Sequence, residues 1–380
     1  MDRPSGNATI CSEENTFNLS VISTAVKWLW SDTDTFIISS ILFISTIGIV
    51  GNAVFLFTIL RLRHMKNSLS FYIFNWCLCD ILFLVIVNYW YISNCSHSPI
   101  SYRTFAVRSA WGCAGWVIST HVWYFAGIEM NTLITVERYF AVCVPLRYRV
   151  MVGKRRTVRQ LTLAWIVAIC IAVTIIPQYG AYTSYCLIWP NQTEFQNLPK
   201  IHTFCEAVSE NFMNFGEIIH LIVYLIALVC NTVLYIKIIK TLSNRDIGYV
   251  RGRRSEDVNM DQIDVRHHGD TRGHGTSRGR RLASVELDEN ITVRNQVART
   301  FVINGVLFFL CQTPYRILTL EFLLDQYSDY GFLDVQQYNV LKNIAYGCYV
   351  LNSVINPYLY IGSCEYYRNA VRRAFRVRKT

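Results

Sequence analysis

Apolar positions in this chain fall into long unbroken runs, not into strand-like alternation or the one-sided stripe of a surface helix. Phe36 to Leu60 is 25 residues without an acid or a base, and Leu69 to Ile92 contains only Asp80. A run of about 20 apolar residues wound as a helix matches the hydrocarbon thickness of a bilayer. The pattern predicts spans at 36–60, 69–92, 113–136, 160–180, 212–239, 297–320 and 343–361. The third is the least apolar, with His121, Glu129 and Asn131 among aromatics, as suits a helix buried among others. Beyond the last span Tyr367, Val371 and Phe375 recur every four residues beside Ala370 and Ala374, with arginines between. That spacing predicts a short amphipathic helix lying on the membrane surface. The expected fold is an all-α membrane protein, a seven-transmembrane helix bundle. Residues 1–35 precede it as an outer, glycosylated segment, and 362–380 follow it as an inner helix and tail. Within the 36–361 bundle, residues 243–296 are rich in Arg, Gly, Asp and His and are expected to form a mostly disordered loop.

Composition sharpens this picture. The chain is 52% hydrophobic and 16% charged, against about 25% charged in an average soluble domain. The net charge of +10 invites a nucleic-acid partner, but the placement of the charges excludes one. Of the 36 Lys and Arg, 29 lie in four segments on one side of the spans: 61–66, 138–159, 237–299 and 368–379. An excess of Lys and Arg marks the cytoplasmic side. A multi-pass membrane protein with its N-terminus outside and C-terminus inside follows, with the plasma membrane as its expected location. Met1–Leu19 has no apolar core of a signal peptide, so the first span is expected to act as its own insertion signal. Glycosylation acceptors begin at Asn7, Asn18 and Asn191 on the outer side; Asn290 fits the pattern but falls inside. Arg280-Arg281-Leu-Ala-Ser284 reads either as a basophilic kinase site or as a chance match in a basic loop. No nucleophile–base constellation, metal-spaced His/Cys cluster or phosphate loop supports an enzyme.

The polar residues inside the spans form an ordered series. Gly51-Asn52 lies in the first, Asp80 in the second, and Glu137-Arg138-Tyr139 at the end of the third, followed by Pro145-Leu146. Trp165 is in the fourth, Cys311-Gln-Thr-Pro-Tyr315 in the sixth, and Asn352-Ser353-Val-Ile-Asn356-Pro357-Tyr-Leu-Tyr360 in the seventh. Over nearly its whole length the chain resembles the rhodopsin-like (class A) G-protein-coupled receptors, on the neuropeptide-receptor branch, including Phe/Arg-amide peptide receptors of invertebrates. The resemblance implies a heterotrimeric G protein as inner partner. It assigns Arg138 to the G-protein contact, Glu137 to pair with Arg138 at rest, and Leu146 as an apolar knob entering the G protein. Asn356, Pro357 and Tyr360 belong to the activation machinery. Pro314 and Pro357 remove backbone hydrogen bonds and create hinges. Arg294 stands where some relatives place an acid, so no second lock on Arg138 is expected.

The resemblance further implies an allosteric sodium ion on Asp80, supported by Asn352, Ser353 and Asn356, although Gly127 replaces a frequent serine ligand. The alternative is a neutral hydrogen-bonded cluster. No other cofactor is expected. Among thirteen cysteines, Cys113 takes the family's disulfide to the second outer loop. Cys205 is favoured as its partner because Tyr182–Trp189 and Lys200–Cys205 suit a hairpin, with Cys186 as the alternative; if Cys205 is used, Cys186 is left to Cys11 or Cys95. By alignment Val223 replaces the fifth span's proline, Asn231 stands where many members have tyrosine, and Gln312 replaces the tryptophan under the ligand.

Amine receptors carry an aspartate where this chain has Thr120, and retinal proteins a lysine where it has Val350. The ligand pocket is expected to be lined by Trp90, Thr120, His121, Tyr124, Glu217, Gln312, Tyr315, Arg316, Thr319 and Tyr346. Arg316 and Glu217 either form a buried ion pair or hold opposite ends of a ligand. The outer side is acid-rich, with Glu194, Glu206, Glu210, Glu321 and Asp325 among others, which suits a basic peptide steered in by the field. A lipid or other small-molecule ligand is the alternative. A transporter or channel also buries charges, but the absence of an internal repeat weighs against it.

Overall fold

The computed structural model describes residues 11–97, 99–100, 109–263, 274–328, 333 and 335–376. After a short helix α1 (Ile22–Val26), the long helices are α2 (Asp32–Arg61), α3 (Ser68–His97), α4 (Ala110–Cys143), α6 (Lys154–Thr174), α7 (Glu210–Ile263), α8 (His274–Ser328) and α9 (Val335–Ser363). Two short helices, α5 (Pro145–Met151) and α10 (Glu365–Phe375), lie at the opposite end of the bundle from α1. Five of the long helices, α2, α3, α6, α7 and α8, are long and apolar enough to cross a membrane by length and composition. The more polar α4 packs against α3, α6, α7 and α8, and α9 against α2, α3 and α8. Their polar groups thus meet protein. Phe43, Leu163, Ile226 and Leu310 face outward, giving the bundle an apolar belt.

Local chemistry explains where the helices depart from the expected spans. The first begins at Asp32 because Ser31 Oγ accepts the Asp34 amide (3.1 Å) while the Asp34 carboxylate accepts the Ser31 amide (3.0 Å), a reciprocal cap. This moves the boundary expected at residue 35 back into the 1–35 segment. The fourth ends at Thr174, not 180, and passes into a 3-10 turn at Ile176–Gln178, because a residue before proline, here Ile176 before Pro177, is pushed out of the α conformation. Over residues 243–296 the helices extend beyond the expected spans. Helix α7 runs on to Ile263 and α8 starts at His274, so most of the segment expected to be disordered is helical. Once a span has nucleated a helix, each added residue gains a backbone bond at little further cost. Residues 264–273 and the side chains of Ser284 and Asn290 lie outside the described residues.

At the α1 end a three-stranded sheet lies over the bundle, in the order β1 (Thr16–Asn18), β2 (Ala181–Ile188), β3 (Ile201–Glu206). Strands β2 and β3 are antiparallel, with Tyr182 opposite Cys205, and β1 runs parallel to β2, with Thr16 opposite Cys186. Disulfides join Cys113 to Cys205 and Cys11 to Cys186, with Cα atoms 5.7 and 5.6 Å apart. Leu19, Ala25, Trp28, Ile100, Leu187 and Phe195 form a small separate core. The N-terminal segment is therefore a strap built onto the hairpin.

Candidate functional site

Beneath the sheet, two adjoining chambers of about 480 and 420 Å³ open between the helices. Nine of the ten expected pocket residues line one or both: Trp90, Thr120, His121, Tyr124, Glu217, Tyr315, Arg316, Thr319 and Tyr346. Gln312 does not. It sits lower, lining a small cavity beside Asp80, because it lies about one helical turn below Arg316 on α8. The upper chamber is bounded by Trp30, Glu206, Tyr338 and Lys342, and the deeper one by Trp116, His220, Asn343 and Tyr349. His220 follows Glu217 by three residues, and Tyr349 follows Tyr346 by three; same-face helical spacing carried that signal. Gln178 lines both chambers from a 3-10 turn with no periodicity to mark it.

Glu217 and Arg316 do not form the ion pair that was one of the two expectations. Glu217 Oε1 accepts from Gln178 Nε2 (2.8 Å), and Oε2 from the Thr319 hydroxyl (3.0 Å). Gln178 reaches it because α7 carries Gly216, where a Cβ would overlap the Gln178 side chain. The Arg316 guanidinium instead lies 4.9 Å from the Tyr315 ring centroid, 5.5 Å from Tyr124 and 5.9 Å from Tyr224. It is 4% exposed, and its Nε and Nη1 have no hydrogen-bond partner. His121 Nδ1 lies 2.8 Å from the Val117 carbonyl, with its ring 5.0 Å from that of His220.

Deeper still, Asn356 Nδ2 donates to Asp80 Oδ2 (2.7 Å), and Asn52 Nδ2 donates to the Ser353 carbonyl (2.9 Å). A cavity of about 20 Å³ lies against Asp80, Asn352, Ser353, Gly127 and Gln312. That volume holds about one water-sized particle. The donors are a carboxylate and neutral oxygens, among them Gln312 Oε1, which has no hydrogen-bond partner. Hard oxygen donors of this kind suit an alkali cation, so the residues present fit a sodium ion even with Gly127 contributing no side-chain oxygen.

At the far end of the bundle, Arg138 is 6% exposed and its Nε has no partner. The expected resting pair with Glu137 is not formed: Glu137 Oε1 accepts instead from the Tyr148 hydroxyl of α5 (2.6 Å). Burial first, and then this bond, push the Tyr148 pKa up and keep it protonated as the donor. The charges of Arg245, Arg138 and Arg149 all bear on Arg294, and Arg245 Nη2 donates to the Val142 carbonyl at the end of α4 (2.7 Å). Leu146 of α5 is left 79% exposed. The Tyr139 ring carries the Lys237 ammonium 5.7 Å from its centroid. Tyr360, next to the Pro357 turn of α9, is buried among Phe55, Phe301 and Tyr367, and Asn304 Nδ2 donates to its hydroxyl (3.5 Å).

One residue of this end was missed. Asn231, aligned with the family's tyrosine, bonds to Thr132 and to the Ala227 carbonyl. The α7 tyrosine that reaches the seam between α4 and α8 is Tyr235, one turn further on; the Thr135 hydroxyl donates to it (3.2 Å).

A family profile described as "7 transmembrane receptor (rhodopsin family)" matches residues 51–360. The thyrotropin-releasing hormone receptor of Bos taurus is 24% identical over 356 residues, covering 88% of this chain and 76% of its own length. The alpha-1A adrenergic receptor of Homo sapiens is 24% identical over 343 residues, covering 87% and 65%. The family match spans most of the chain, and with the buried Asp80–Asn356 pair, Arg138 and the chambers under the sheet it leads to one conclusion: this chain belongs to the rhodopsin family of seven-transmembrane receptors.

Proposed function

We propose that this G-protein-coupled receptor takes a peptide as its extracellular ligand, with the strapped sheet outside and the Arg138 end in the cytoplasm. The observation that carries the ligand class is the pair of chambers running from the sheet down to Arg316, too long and too varied in chemistry for an amine. Where amine receptors carry an aspartate this chain has Thr120, which hydrogen-bonds its own helix at the Trp116 carbonyl (2.9 Å), and the deeper chamber's carboxylate, Glu217, accepts from Gln178 and Thr319. A relative named as a hormone receptor supports the same class. Orientation rests on the Lys and Arg distribution and on Asn18 and Asn191, both exposed at the sheet end as glycosylation acceptors; Asn7 lies outside the described residues.

Ligand binding between α3, α4, α7, α8 and α9 biases the hinge at Pro314 and swings the inner end of α8 outward. Arg138 is then uncovered to the G protein, and the exposed Leu146 supplies an apolar contact. Asp80, with Asn352 and Ser353 beside it and Asn356 holding one of its oxygens, would hold a sodium ion, which would supply the charge that neutralises the buried carboxylate. The test is nucleotide exchange on purified G proteins, read against a peptide library, with Arg138→Ala as control. Peptide-dependent exchange that Arg138→Ala abolishes is expected. Response to a lipid alone overturns the peptide ligand, and ion or solute flux without exchange overturns the coupling.

A further inference from the structure

Arg316 is a buried cation facing a chamber, with no salt bridge among the described residues and the Glu217 charge acting on it only from a distance. Its three flanking tyrosines offer ring faces, which stabilise a guanidinium by cation–π contact. Ring faces do not satisfy the N–H groups, which lie in the guanidinium plane as a fork shaped for two oxygens. Leaving such donors buried and unpaired is costly. The Tyr124 hydroxyl is close enough to interact with the guanidinium, but among the described residues Nε and Nη1 keep no hydrogen-bond partner, and the deeper chamber's carboxylate, Glu217, accepts instead from Gln178 and Thr319. His220 lines the same chamber, 7% exposed, with its Nδ1 also without a partner. The floor therefore presents the Arg316 donors, with aromatic walls from Tyr91, Trp116, Tyr346 and Tyr349 around them. Glu217 and Lys342 line both chambers, and the upper one adds the acid Glu206.

We infer that the deep chamber is a subsite for a carboxylate or primary carboxamide beside an aromatic side chain, its carbonyl oxygen held by the Arg316 fork. This rests on the peptide-receptor reading and gives the ligand a direction: its carbonyl-bearing end descends to Arg316, and any basic group stays above, near Glu206 and Glu217. An ammonium in the deep chamber is repelled by Arg316.

Probes that share one aromatic tail and differ only in the head group test this. They are 3-phenylpropanoate, 3-phenylpropanamide, 3-phenylpropan-1-ol and 3-phenylpropylamine. Fragments of this size bind at about millimolar strength, so each is titrated into the purified receptor in lipid nanodiscs and read as a rise in Tm. The acid, the amide or both are expected to raise Tm, and the alcohol and amine to leave it unchanged. Acid alone identifies a carboxylate, amide alone a carboxamide, and either result supports the subsite. Arg316→Gln is expected to weaken the active probe about thirtyfold or more, and Arg316→Lys to retain part of the affinity. Should Arg316→Gln fail to fold, Arg316→Lys and the wild-type series still decide. Equal stabilisation by the alcohol or amine overturns the inference, as does an undiminished response in Arg316→Gln or no response to acid and amide. No G protein is present, so failure here leaves the nucleotide-exchange result standing, and failure there leaves this one.

Discussion

Replacing Gly305 by alanine should destabilise the receptor while raising its basal activity, against the general rule for helical glycines. In an ordinary helix interior Gly→Ala stabilises by about 1 kcal/mol. Gly347 of α9 is such a site, since a Cβ there meets nothing within 4 Å. At Gly305 the added Cβ would overlap the Tyr235 hydroxyl and lie 3.3 Å from Asn131 Oδ1. Tyr235 is buried, so its hydroxyl has to leave the 3.2 Å bond from Thr135. Losing that bond costs about 1 kcal/mol, and the overpacking about 1–3 kcal/mol more, for about 2–4 kcal/mol in all. The wedge sits between α4, α7 and the inner half of α8, and Pro314 above it gives α8 a hinge. Outward movement of α8 relieves the overlap, so the cost falls on the closed form alone. Each 1.4 kcal/mol is tenfold in that equilibrium, which gives an upper bound of about 30- to 1,000-fold. The assay pairs Tm with ligand-free nucleotide exchange in nanodiscs, for Gly305→Ala, Gly347→Ala and Gly305→Ala with Tyr235→Phe. Gly347→Ala should raise Tm slightly, and Tyr235→Phe should restore part of the loss. If Gly305→Ala behaves like Gly347→Ala, the steric reasoning is wrong. If Tm falls without a rise in basal exchange, the seam does not gate α8.

Tyr148→Phe removes a 2.6 Å bond to the Glu137 carboxylate, worth about 1.5–3 kcal/mol for a charged acceptor. The freed carboxylate is expected to turn to Arg138, closing the pair absent here and lowering both basal and agonist-driven exchange; unchanged or higher exchange rejects this. For the proposed ion site, the wild-type receptor should have a higher Tm in sodium than in choline chloride at equal ionic strength. Asp80→Asn should erase that difference, and a wild type indifferent to sodium would refute the site.

How much of this was legible in the sequence divides by the range of the interactions. Spans and the amphipathic α10 follow from local spacing, because burial selects side chains at fixed intervals along one helix, whereas the cytoplasmic motifs were legible through the family resemblance. Tyr367, Ala370 and Ala374 are buried beneath α10 while Arg372 and Arg373 are exposed, as period 3.6 requires. The start of α2 was also written locally, in Ser31 and Asp34, but an apolarity scan passes over a polar cap. The strap was legible only as one of two partners for Cys186, of which the structure has Cys11; its strand was not, since β1 is three residues pairing in parallel with a strand some 170 positions away, and no periodicity in Thr16–Asn18 announces a partner. Gln178 and Tyr235 were missed for related reasons. The first is aimed by the gap at Gly216, and the second by the gap at Gly305, so each depends on what another helix lacks.

The same geometry bears on how a signal passes without the family's tryptophan. Gln312 takes its place and faces the Asp80 cavity, not the ligand chambers. The partition between the two spaces is built from Phe83, Tyr124 and Tyr349, which line both the deep chamber and the Asp80 cavity. Tyr124 and Tyr349 stack with ring centroids 5.5 Å apart, and Arg316 lies as close to Tyr124 on its chamber side. A packed aromatic pair cannot deform gradually; it keeps one arrangement or changes to another. Any group that pulls Arg316 off the Tyr124 face therefore acts on a ring whose other side walls the Asp80–Asn356 pair. Above that wall this chain differs from its family, and below it the inner motifs are shared. The tyrosine pair is where one meets the other, so the input can vary while the output stays common to the family.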